Sequence, residues 1–262
     1  MDSTTEEFCF SSAKFENDFS LFDSDIDPDN NFLQSTYDDA SSYVTSDQLN
    51  SFTSQLPPEK CSFIHVNCRS IRNKLPELTM LLRWSRSRIM AVTETWLDED
   101  LSRSIEIPGF NFICKSRDTK RGGGVGFFIE AQIKYSVVDT KLWNVDVASF
   151  EFLLITIESH KTENFMIGVI YRPPDTNVHI FIKELNDMLN YIFKRNITIF
   201  LIGDYNIDLI TREQNPSAAE FFNLMASYGL FPAFVAPTRK SSTTATAIDN
   251  MFTNYPLRQT LS

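Results

Sequence analysis

Cysteine, glycine and long apolar runs are all scarce in this chain of 262 residues. The four cysteines form no CxxC pair and show no zinc-like spacing with the three histidines, so neither a disulfide framework nor a structural metal is indicated. No apolar stretch approaches the ~18 residues of a membrane-spanning helix. The N-terminus also lacks a basic region followed by a hydrophobic one. We therefore expect an intracellular protein of a reducing compartment that is neither secreted nor held in a membrane.

Negative charge is concentrated in the first sixty residues. Residues 1–60 hold thirteen Asp and Glu against two Lys, a net charge of −11, whereas residues 61–262 carry a net charge of +1. The first segment has no glycine and keeps no helical or strand period for more than a turn. Such a composition buries too little apolar surface to offset the entropy of ordering. We predict a disordered acidic leader over residues 1–60, interpreted as a solvated extension rather than as a tail that docks its phenylalanines on a partner.

From residue 61 onward, β-rich runs interleave with segments of helical period. The predicted strands cover residues 61–67, 89–93, 124–129, 150–157, 165–171 and 197–203. The predicted helices cover residues 76–84, with Pro76 in the first turn, 178–193, and 216–228, with Asn215 as the N-cap. This order predicts an α/β domain with helices outside a mixed sheet, antiparallel where strands follow one another directly.

Polar residues stand at the ends of five predicted strands. They are Asn67, Glu94, Tyr171, the pair Asp204 and Asn206, and Asp249. Because ligands in open α/β sheets gather beyond strand ends, these side chains are expected to meet at one site. Taken singly, Asn67 and Asp249 are better explained as turn formers. Glu94 has no basic neighbour in the sequence and is expected either to reach water at a sheet edge or to hold a metal.

Seven short motifs occur in a fixed order along the chain. They are Asn67 with Arg69-Ser70, Thr93-Glu94-Thr95-Trp96-Leu97, Gly122-Gly123-Gly124-Val125-Gly126, Tyr171-Arg172-Pro173-Pro174, Gly203-Asp204-Tyr205-Asn206, Pro237-Thr238-Arg239 and Ile248-Asp249. Their order closely resembles the endonuclease/exonuclease/phosphatase family and, within it, the apurinic-type endonuclease domain of non-LTR retrotransposons. The resemblance covers residues 61–262 and implies a four-layered α/β sandwich, with two mixed β-sheets face to face and helices outside.

The resemblance also implies roles for individual residues. Glu94 would be the principal carboxylate ligand of Mg²⁺, or of Mn²⁺ in its place, and Asn67 would position that ion or the scissile phosphate. Asp204 would orient and deprotonate the attacking water. Asn206 and Tyr171 would donate hydrogen bonds to phosphate oxygens as charge builds in the transition state.

The catalytic histidine of the family has no counterpart in this sequence. By resemblance, Asp249 would orient that histidine, which belongs to a Ser-Asp-His motif a few tens of residues further on, whereas this sequence ends thirteen residues after Asp249. His65, His160 and His179 stand elsewhere and are interpreted as structural or surface residues. We therefore expect a C-terminally truncated domain that lacks its last strand and is impaired in catalysis, since losing an acid–base partner costs ~10²- to 10⁴-fold in rate.

Basic residues cluster beside the predicted site. Six cations lie between residues 69 and 88 against the single acid Glu77, and a second cluster spans residues 115–121. A phosphodiester backbone requires such charge near the reacting centre. The glycine run 122–124 is interpreted as a turn rather than as a phosphate cradle, and Arg83, Arg86 and Arg88 fit a solvated helix face equally well. The predicted DNA contacts are Arg69, Arg117, Arg121, Arg172 and Thr238.

Three functions remain open from the sequence alone. The first is a Mg²⁺-dependent DNA endonuclease that nicks target DNA in the nucleus for a retroelement, whose reverse transcriptase is expected on a longer chain. The second is a phosphatase or phosphodiesterase of the same fold acting on inositol phosphates or sphingolipids. The motifs at residues 93–96 and 171–174 favour the nuclease over this second function. The third is a catalytically inactive fragment that binds nucleic acid or a protein, which the missing histidine favours.

Overall fold

A computed structural model describes residues 63–117, 122–140, 147–158, 163–233, 237–240 and 245–255. The predicted acidic leader lies outside these residues, as do His160 and Arg121. No helix of the described ranges is long and apolar enough to cross a membrane.

The smaller of two mixed sheets has four strands. They are β1 (Phe63–Asn67), β2 (Ile89–Thr93), β3 (Phe110–Lys115) and β4 (Val125–Glu130), arranged in the order β1-β2-β4-β3. Strands β1 and β2 run parallel, whereas β4 is antiparallel to both β2 and β3. The parallel pair brings the carboxyl ends of β1 and β2 side by side.

The larger sheet has six strands. The first five strands in chain order are β5 (Tyr135–Val137), β6 (Glu151–Ile157), β7 (Phe165–Tyr171), β8 (Thr198–Asp204) and β9 (Phe231–Pro232). A separate antiparallel pair, β10 (Arg239–Lys240) and β11 (Ala245–Thr246), follows β9 in the chain. The sixth strand of the large sheet is β12 (Asp249–Thr253). The order in the large sheet is β5-β6-β7-β8-β12-β9. Strands β7 and β8 are parallel and the other neighbours are antiparallel.

Helices cover the outer faces of the two sheets. Helix α1 (Ile71–Ser85) packs on the small sheet, while α3 (Val178–Ile192) and α4 (Pro216–Ser227) pack on the large one, and the short α2 (Glu99–Ser102) lies between β2 and β3 in the chain. The Asn215 side chain accepts the backbone N–H groups of Ser217 and Ala218, so the predicted N-cap is confirmed.

Three apolar clusters separate four layers. Phe63, Ile89 and Ala91 pack with residues of β7 and β8 between the two sheets. Met90 and Val92, which alternate with them along β2, face α1 instead, so β2 is buried on both faces. A third cluster fills the space between the large sheet and helices α3 and α4. The predicted four-layered sandwich with two mixed sheets is confirmed.

The predicted start of the first helix is wrong. Helix α1 begins at Ile71, so Pro76 lies inside the helix and not in its first turn. No side chain caps this start. The backbone N–H groups of Ser70 and Ile71 donate instead to the carbonyl oxygens of Glu94 and Thr95, at 2.9 and 3.1 Å. The helix start is therefore fixed by the segment after β2, which local sequence signals do not reveal.

Candidate active site

The side-chain amide of Asn67 joins two carboxylates from the two sheets. Its Nδ2 donates to Glu94 Oε1 at 2.7 Å and to Asp204 Oδ2 at 2.9 Å. Glu94 directly follows β2 of the small sheet, and Asp204 ends β8 of the large sheet. One nitrogen atom therefore holds together two acids that lie more than a hundred residues apart in sequence.

Strand pairing explains why these residues meet. Asn67 and Thr93 are partners at the ends of the parallel strands β1 and β2, which places Glu94 beside Asn67. In the large sheet, Asp204 is paired with Tyr171 on β7 and with Asp249 on β12. All five predicted strand ends therefore lie at one edge of the sandwich, as ligand-binding residues of α/β sheets do.

The backbone around this edge is unusually strained. Of the six described non-glycine residues with positive φ, all but Arg86 lie beside the site: Arg69, Ser70, Glu94, Trp96 and Asn206. Left-handed conformations of such residues cost about 1–3 kcal/mol each and tend to concentrate at functional sites. At Glu94, with φ of 53°, the strain re-aims a side chain that regular extension of β2 would send elsewhere.

Arg239 bridges the two aspartates of the large sheet. Its Nη2 donates to Asp204 Oδ2 at 2.7 Å, and its Nε donates to Asp249 Oδ2 at 3.2 Å. The hydroxyl of Thr238 donates to Asp249 Oδ2 and accepts the Asp249 N–H, each at 3.2 Å. Thr238, predicted to contact DNA, is thus engaged in fixing Asp249.

Asp204 has a carboxyl group with a strongly raised pKa. Burial is the main cause, and the nearby Asp249 adds to it, while Arg239, Asn67 and the Asn206 N–H oppose it, which leaves the pKa at about 7. The side chain is fully covered, whereas that of Arg239, which lies against it, is 34% exposed. At neutral pH Asp204 can therefore both hold and release a proton, although its side chain is covered by its neighbours.

His65 faces the site from the interior. It shares its strand face with Phe63 and Asn67, and its Nε2 lies 3.1 Å from the Thr93 hydroxyl. Its Nδ1 lies 4.0 Å from Asp249 Oδ1, an oxygen that is buried and has no hydrogen-bond partner among the described residues. Burial lowers the pKa of His65 to about 4, against the opposing effect of Asp249, so the ring is neutral. His65, interpreted from the sequence as a structural or surface residue, is thus buried beside Asp249.

Tyr171 and Asn206 flank Asp204. Burial, with the acids Glu94 and Asp204 nearby, raises the pKa of the Tyr171 hydroxyl, so the group stays protonated as a donor. No hydrogen bond joins this hydroxyl to another described residue. Asn206 donates one amide hydrogen to the carbonyl of Arg172 at 2.7 Å, which fixes its side chain and leaves the second hydrogen for another acceptor.

Arg172 supports the loop after β8 from inside the protein. It is 3% exposed, and its guanidinium donates to the carbonyls of Tyr205 and Asn206 at 2.7 and 2.8 Å. It also donates to the Thr176 carbonyl at 2.7 Å. All three guanidinium nitrogens are engaged, so its position does not support the predicted contact to DNA. Arg172 instead fixes the backbone that carries Asp204 and Asn206.

A second ion pair lies beside the glycine run. Glu151 accepts from the guanidinium of Arg117 and from the backbone N–H of Gly124. A Cβ on Gly123 would lie 2.5 Å from Glu151 Oε1, so only glycine fits this close approach. The run, predicted as a flexible turn, thus lies close against the Arg117–Glu151 ion pair. Of the predicted DNA contacts, Arg69 is exposed beside Asn67, whereas Arg117 is paired with Glu151.

The oxygen donors fit a hydrated magnesium ion. Glu94 accepts from Asn67 through Oε1, and its other carboxylate oxygen bonds to no described residue. Mg²⁺ keeps several waters and binds one or two protein carboxylates together with substrate phosphate. Within the described ranges no three His, Cys, Asp or Glu residues group as metal ligands. This donor set suits a hydrated ion held by Glu94, with Asn67 beside it.

The sequence motifs mark the acids of the site, whereas the contacts of three other residues come from the structure. Arg239 stands in a motif that implies no role for it, Glu151 stands in none of the motifs, and His65 is predicted only to be a structural or surface residue. The signal for His65 was available, because it stands two residues before Asn67 and hence on the same face of β1. For Arg239 and Glu151 there was no such local signal.

Comparison with known proteins places the fold. No family model and no curated protein matches this chain. Solved structures do match. The endonuclease domain of TRAS1, a telomere-specific non-LTR retrotransposon, is 10% identical with a TM-score of 0.57, over 72% of this chain and 82% of that one. An endonuclease/exonuclease/phosphatase family protein from Bacteroides thetaiotaomicron is 16% identical with a TM-score of 0.54, over 74% and 80%.

A third match is the 3′ phosphatase NExo from Neisseria bound to a product DNA hairpin. It is 14% identical with a TM-score of 0.54, over 73% of this chain and 85% of that one. These three proteins include an endonuclease and a phosphatase, and at such identities they establish the fold alone. The chain has the endonuclease/exonuclease/phosphatase fold, as its sequence motifs indicate.

Proposed function

We propose that this chain is a Mg²⁺-dependent DNA endonuclease domain that hydrolyses one phosphodiester bond in target DNA for a retroelement. The observation that carries the proposal is the contact of Asn67 with both Glu94 and Asp204. It brings a carboxylate suited to a hydrated cation next to a carboxylate suited to accept a proton. The TRAS1 domain, named as an endonuclease of a retrotransposon, supports the choice of substrate.

Glu94 and Asn67 would hold the cation beside the scissile phosphate. A bound Mg²⁺ supplies Lewis acidity that offsets negative charge on the phosphate and its leaving oxygen. The free carboxylate oxygen of Glu94 provides the protein ligand. Asn67 fixes the orientation of that carboxylate relative to Asp204 through its two hydrogen bonds.

Asp204 would accept the proton of the attacking water. Its pKa of about 7 matches this task at neutral pH, because an efficient base has a pKa near the working pH. Its Oδ1 accepts the Asn206 N–H at 3.1 Å, which fixes the plane of the carboxylate. Since the side chain is fully covered, Arg239 has to move before water can reach it.

Tyr171 and Asn206 would donate hydrogen bonds to the phosphate oxygens. The Tyr171 hydroxyl stays protonated and has no partner among the described residues, and Asn206 keeps one amide hydrogen free. Donors aimed at charge that develops in the transition state are worth about 10²- to 10³-fold in rate each. The products would be a 5′-phosphate and a 3′-hydroxyl, which a reverse transcriptase can extend as a primer.

Nicking of supercoiled plasmid tests the proposal. The wild-type chain should convert supercoiled to open-circular DNA in Mg²⁺ and should stop when EDTA is added. Glu94→Gln should lose most of this activity, because it removes the charge that holds the cation. The matched control is Glu99→Gln, which alters an exposed carboxylate of α2 and should nick at the wild-type rate. Equal activity of Glu94→Gln and wild type would refute the proposal.

One observation favours binding without cleavage as a second candidate function. Asp249 Oδ1 is buried without a partner among the described residues, and His65 beside it is neutral and 4.0 Å away. An aspartate oxygen to which no described histidine is hydrogen-bonded fits a site that lacks one of the acid–base groups needed for cleavage. This candidate would be supported if the chain binds DNA in a gel-shift experiment but does not nick plasmid in Mg²⁺ or Mn²⁺.

A further inference from the structure

Arg239 lies at the centre of the candidate site. It meets Asp204 at Oδ2, the same atom to which Asn67 donates, so its guanidinium lies close to Asn67 and Glu94. Among the described residues, no other Lys or Arg pairs with Asp204 or Asp249. In the described part of the chain, Arg239 is therefore the arginine that forms ion pairs with both Asp204 and Asp249.

The guanidinium is only partly used by the protein. Nε donates to Asp249 and Nη2 to Asp204, whereas Nη1 has no hydrogen bond to a described residue. Its two partners are 18% and 0% exposed, while the Arg239 side chain is 34% exposed. One edge of the planar group thus faces the buried acids, and the other edge faces solvent. A guanidinium can bind a carboxylate and a phosphate by the same forked geometry.

The backbone of Arg239 is fixed on both sides. Arg239 pairs with Thr246 in the two-stranded β10–β11 unit, and the preceding Thr238 donates its N–H to the Thr246 carbonyl at 2.8 Å. The Thr238 hydroxyl is bonded to Asp249 in both directions. The guanidinium can therefore pivot on Asp249 while its backbone stays in place.

We infer that Arg239 is a phosphate-binding catalytic residue, which keeps its Nε bond to Asp249 and transfers its Nη edge from Asp204 to a non-bridging oxygen of the scissile phosphate. This inference rests on the proposed function and adds a residue to which the sequence motifs gave no role. The exchange has two consequences. It stabilises negative charge on the phosphate, and it uncovers Asp204 for the attacking water only when substrate is present.

The test compares Arg239→Lys and Arg239→Gln with the wild-type chain and with Arg195→Gln, an exposed arginine after α3 as the control. The first readout is the thermal stabilisation caused by inorganic phosphate in Mg²⁺. Phosphate should raise the Tm of the wild type and of Arg195→Gln, raise that of Arg239→Lys by less than half as much, and leave that of Arg239→Gln unchanged. A purely structural Arg239 would change the starting Tm but not the added stabilisation.

The second readout is plasmid nicking at saturating DNA. Both Arg239 variants should lose about 10²-fold in kcat, as for loss of a transition-state donor, with KM nearly unchanged because many other contacts bind the duplex. Arg239→Lys keeps the positive charge between the aspartates, so it covers the case in which Arg239→Gln does not fold. Unchanged kcat in a folded variant, or equal stabilisation by phosphate in all four proteins, would overturn the inference. A rise in kcat would also overturn it, since Arg239 would then only obstruct Asp204.

The two readouts separate this inference from the proposed function. If the wild type does not nick DNA but its stabilisation by phosphate depends on Arg239, the assignment of Arg239 as a phosphate-binding residue stands, and both its catalytic role and the endonuclease proposal fail. If the wild type nicks DNA and Arg239→Lys does so with the same kcat, the endonuclease proposal stands and the inference fails.

Discussion

Asp204 and Asp249 stand directly opposite each other on the antiparallel strands β8 and β12. Paired acids at such a position repel each other and need a cation between them, and Arg239 is that cation. The pKa of Asp204 nevertheless stays raised at about 7, mainly because the carboxyl group is buried and secondly because Asp249 lies nearby. This pair links the strand register of the large sheet to the chemistry of the site.

Asp204 should make the stability of the metal-free protein depend on pH. Its folded pKa of about 7 exceeds its ordinary value of 3.8, so the folded state binds a proton that the unfolded state has released. The stabilising contribution is complete below pH 3.8 and is lost as the pH rises through 7. In EDTA, the unfolding free energy of the wild type should therefore fall relative to that of Asp204→Asn between pH 4 and 7. Urea unfolding at several pH values measures this difference.

The control for this prediction is Asp187→Asn, which changes an exposed carboxylate of α3. Its unfolding free energy should stay parallel to that of the wild type over the same range. A difference between wild type and Asp204→Asn that does not vary with pH would contradict the raised pKa.

Asn67→Ala should destabilise the protein and abolish nicking together. Among the described residues, Asn67 is the donor that Glu94 and Asp204 share, and each buried polar group left unsatisfied by its removal costs about 1–3 kcal/mol. Denaturant unfolding gives the loss of stability, and the plasmid assay gives the loss of activity. Asn73→Ala, at an exposed position of α1, should change neither. Full activity in Asn67→Ala would show that the amide contact has no role in the reaction.

Arg172→Ala should cost more than about 3 kcal/mol of stability. A buried guanidinium that bonds to three carbonyl oxygens cannot be replaced by water without leaving those groups unsatisfied. Arg172→Lys should also destabilise, since an ammonium group cannot reach the same three acceptors. Thermal unfolding of both variants, with exposed Arg195→Ala as the control, measures the effect. A Tm of Arg172→Ala close to that of the wild type would rule out a supporting role.

Gly124→Ala should be destabilised and partly rescued by Thr95→Ala. A Cβ at Gly124 would lie 2.2 Å from Thr95 Oγ1, and the residue has a φ of +89°. Thr95 Oγ1 is buried without a hydrogen-bond partner in the described part of the chain, so removing it alone costs little. The double variant should no longer have the clash but should retain a backbone penalty of about 1 kcal/mol from the positive φ. Additive effects in the four-variant cycle would show that the two groups do not touch.

Periodicity and strand propensity predicted an α/β domain with helices outside a mixed sheet, and the family resemblance implied its four layers. Strands β2 and β7 have the predicted bounds, because short apolar runs flanked by polar residues define them locally. The start of α1 was mispredicted, because proline suggested a first turn where the true start depends on the carbonyls of Glu94 and Thr95. The local sequence therefore predicts whether a segment is a strand or a helix, whereas tertiary contacts determine where α1 begins.

The candidate site shows the same division. Glu94, Asn67 and Asp204 could be predicted, because strand ends and motif order mark them. Arg239 and Glu151 could not, since their partners lie 35 and 34 residues away and are set by sheet register. Arg172 belongs to a motif from which we predicted a contact to DNA, but its side chain is buried. The neighbouring residues in the sequence do not indicate this burial.

The initial rate of plasmid nicking by Asp204→Asn in Mg²⁺, relative to the wild type, tests the central claim most directly. The substitution keeps the size of the side chain and removes its capacity to accept a proton at neutral pH. We expect active wild-type protein and a loss of about 10²- to 10⁴-fold in the variant, with its fold retained as measured by circular dichroism. Equal rates for the two proteins would contradict the assignment of this edge of the sandwich as the active site.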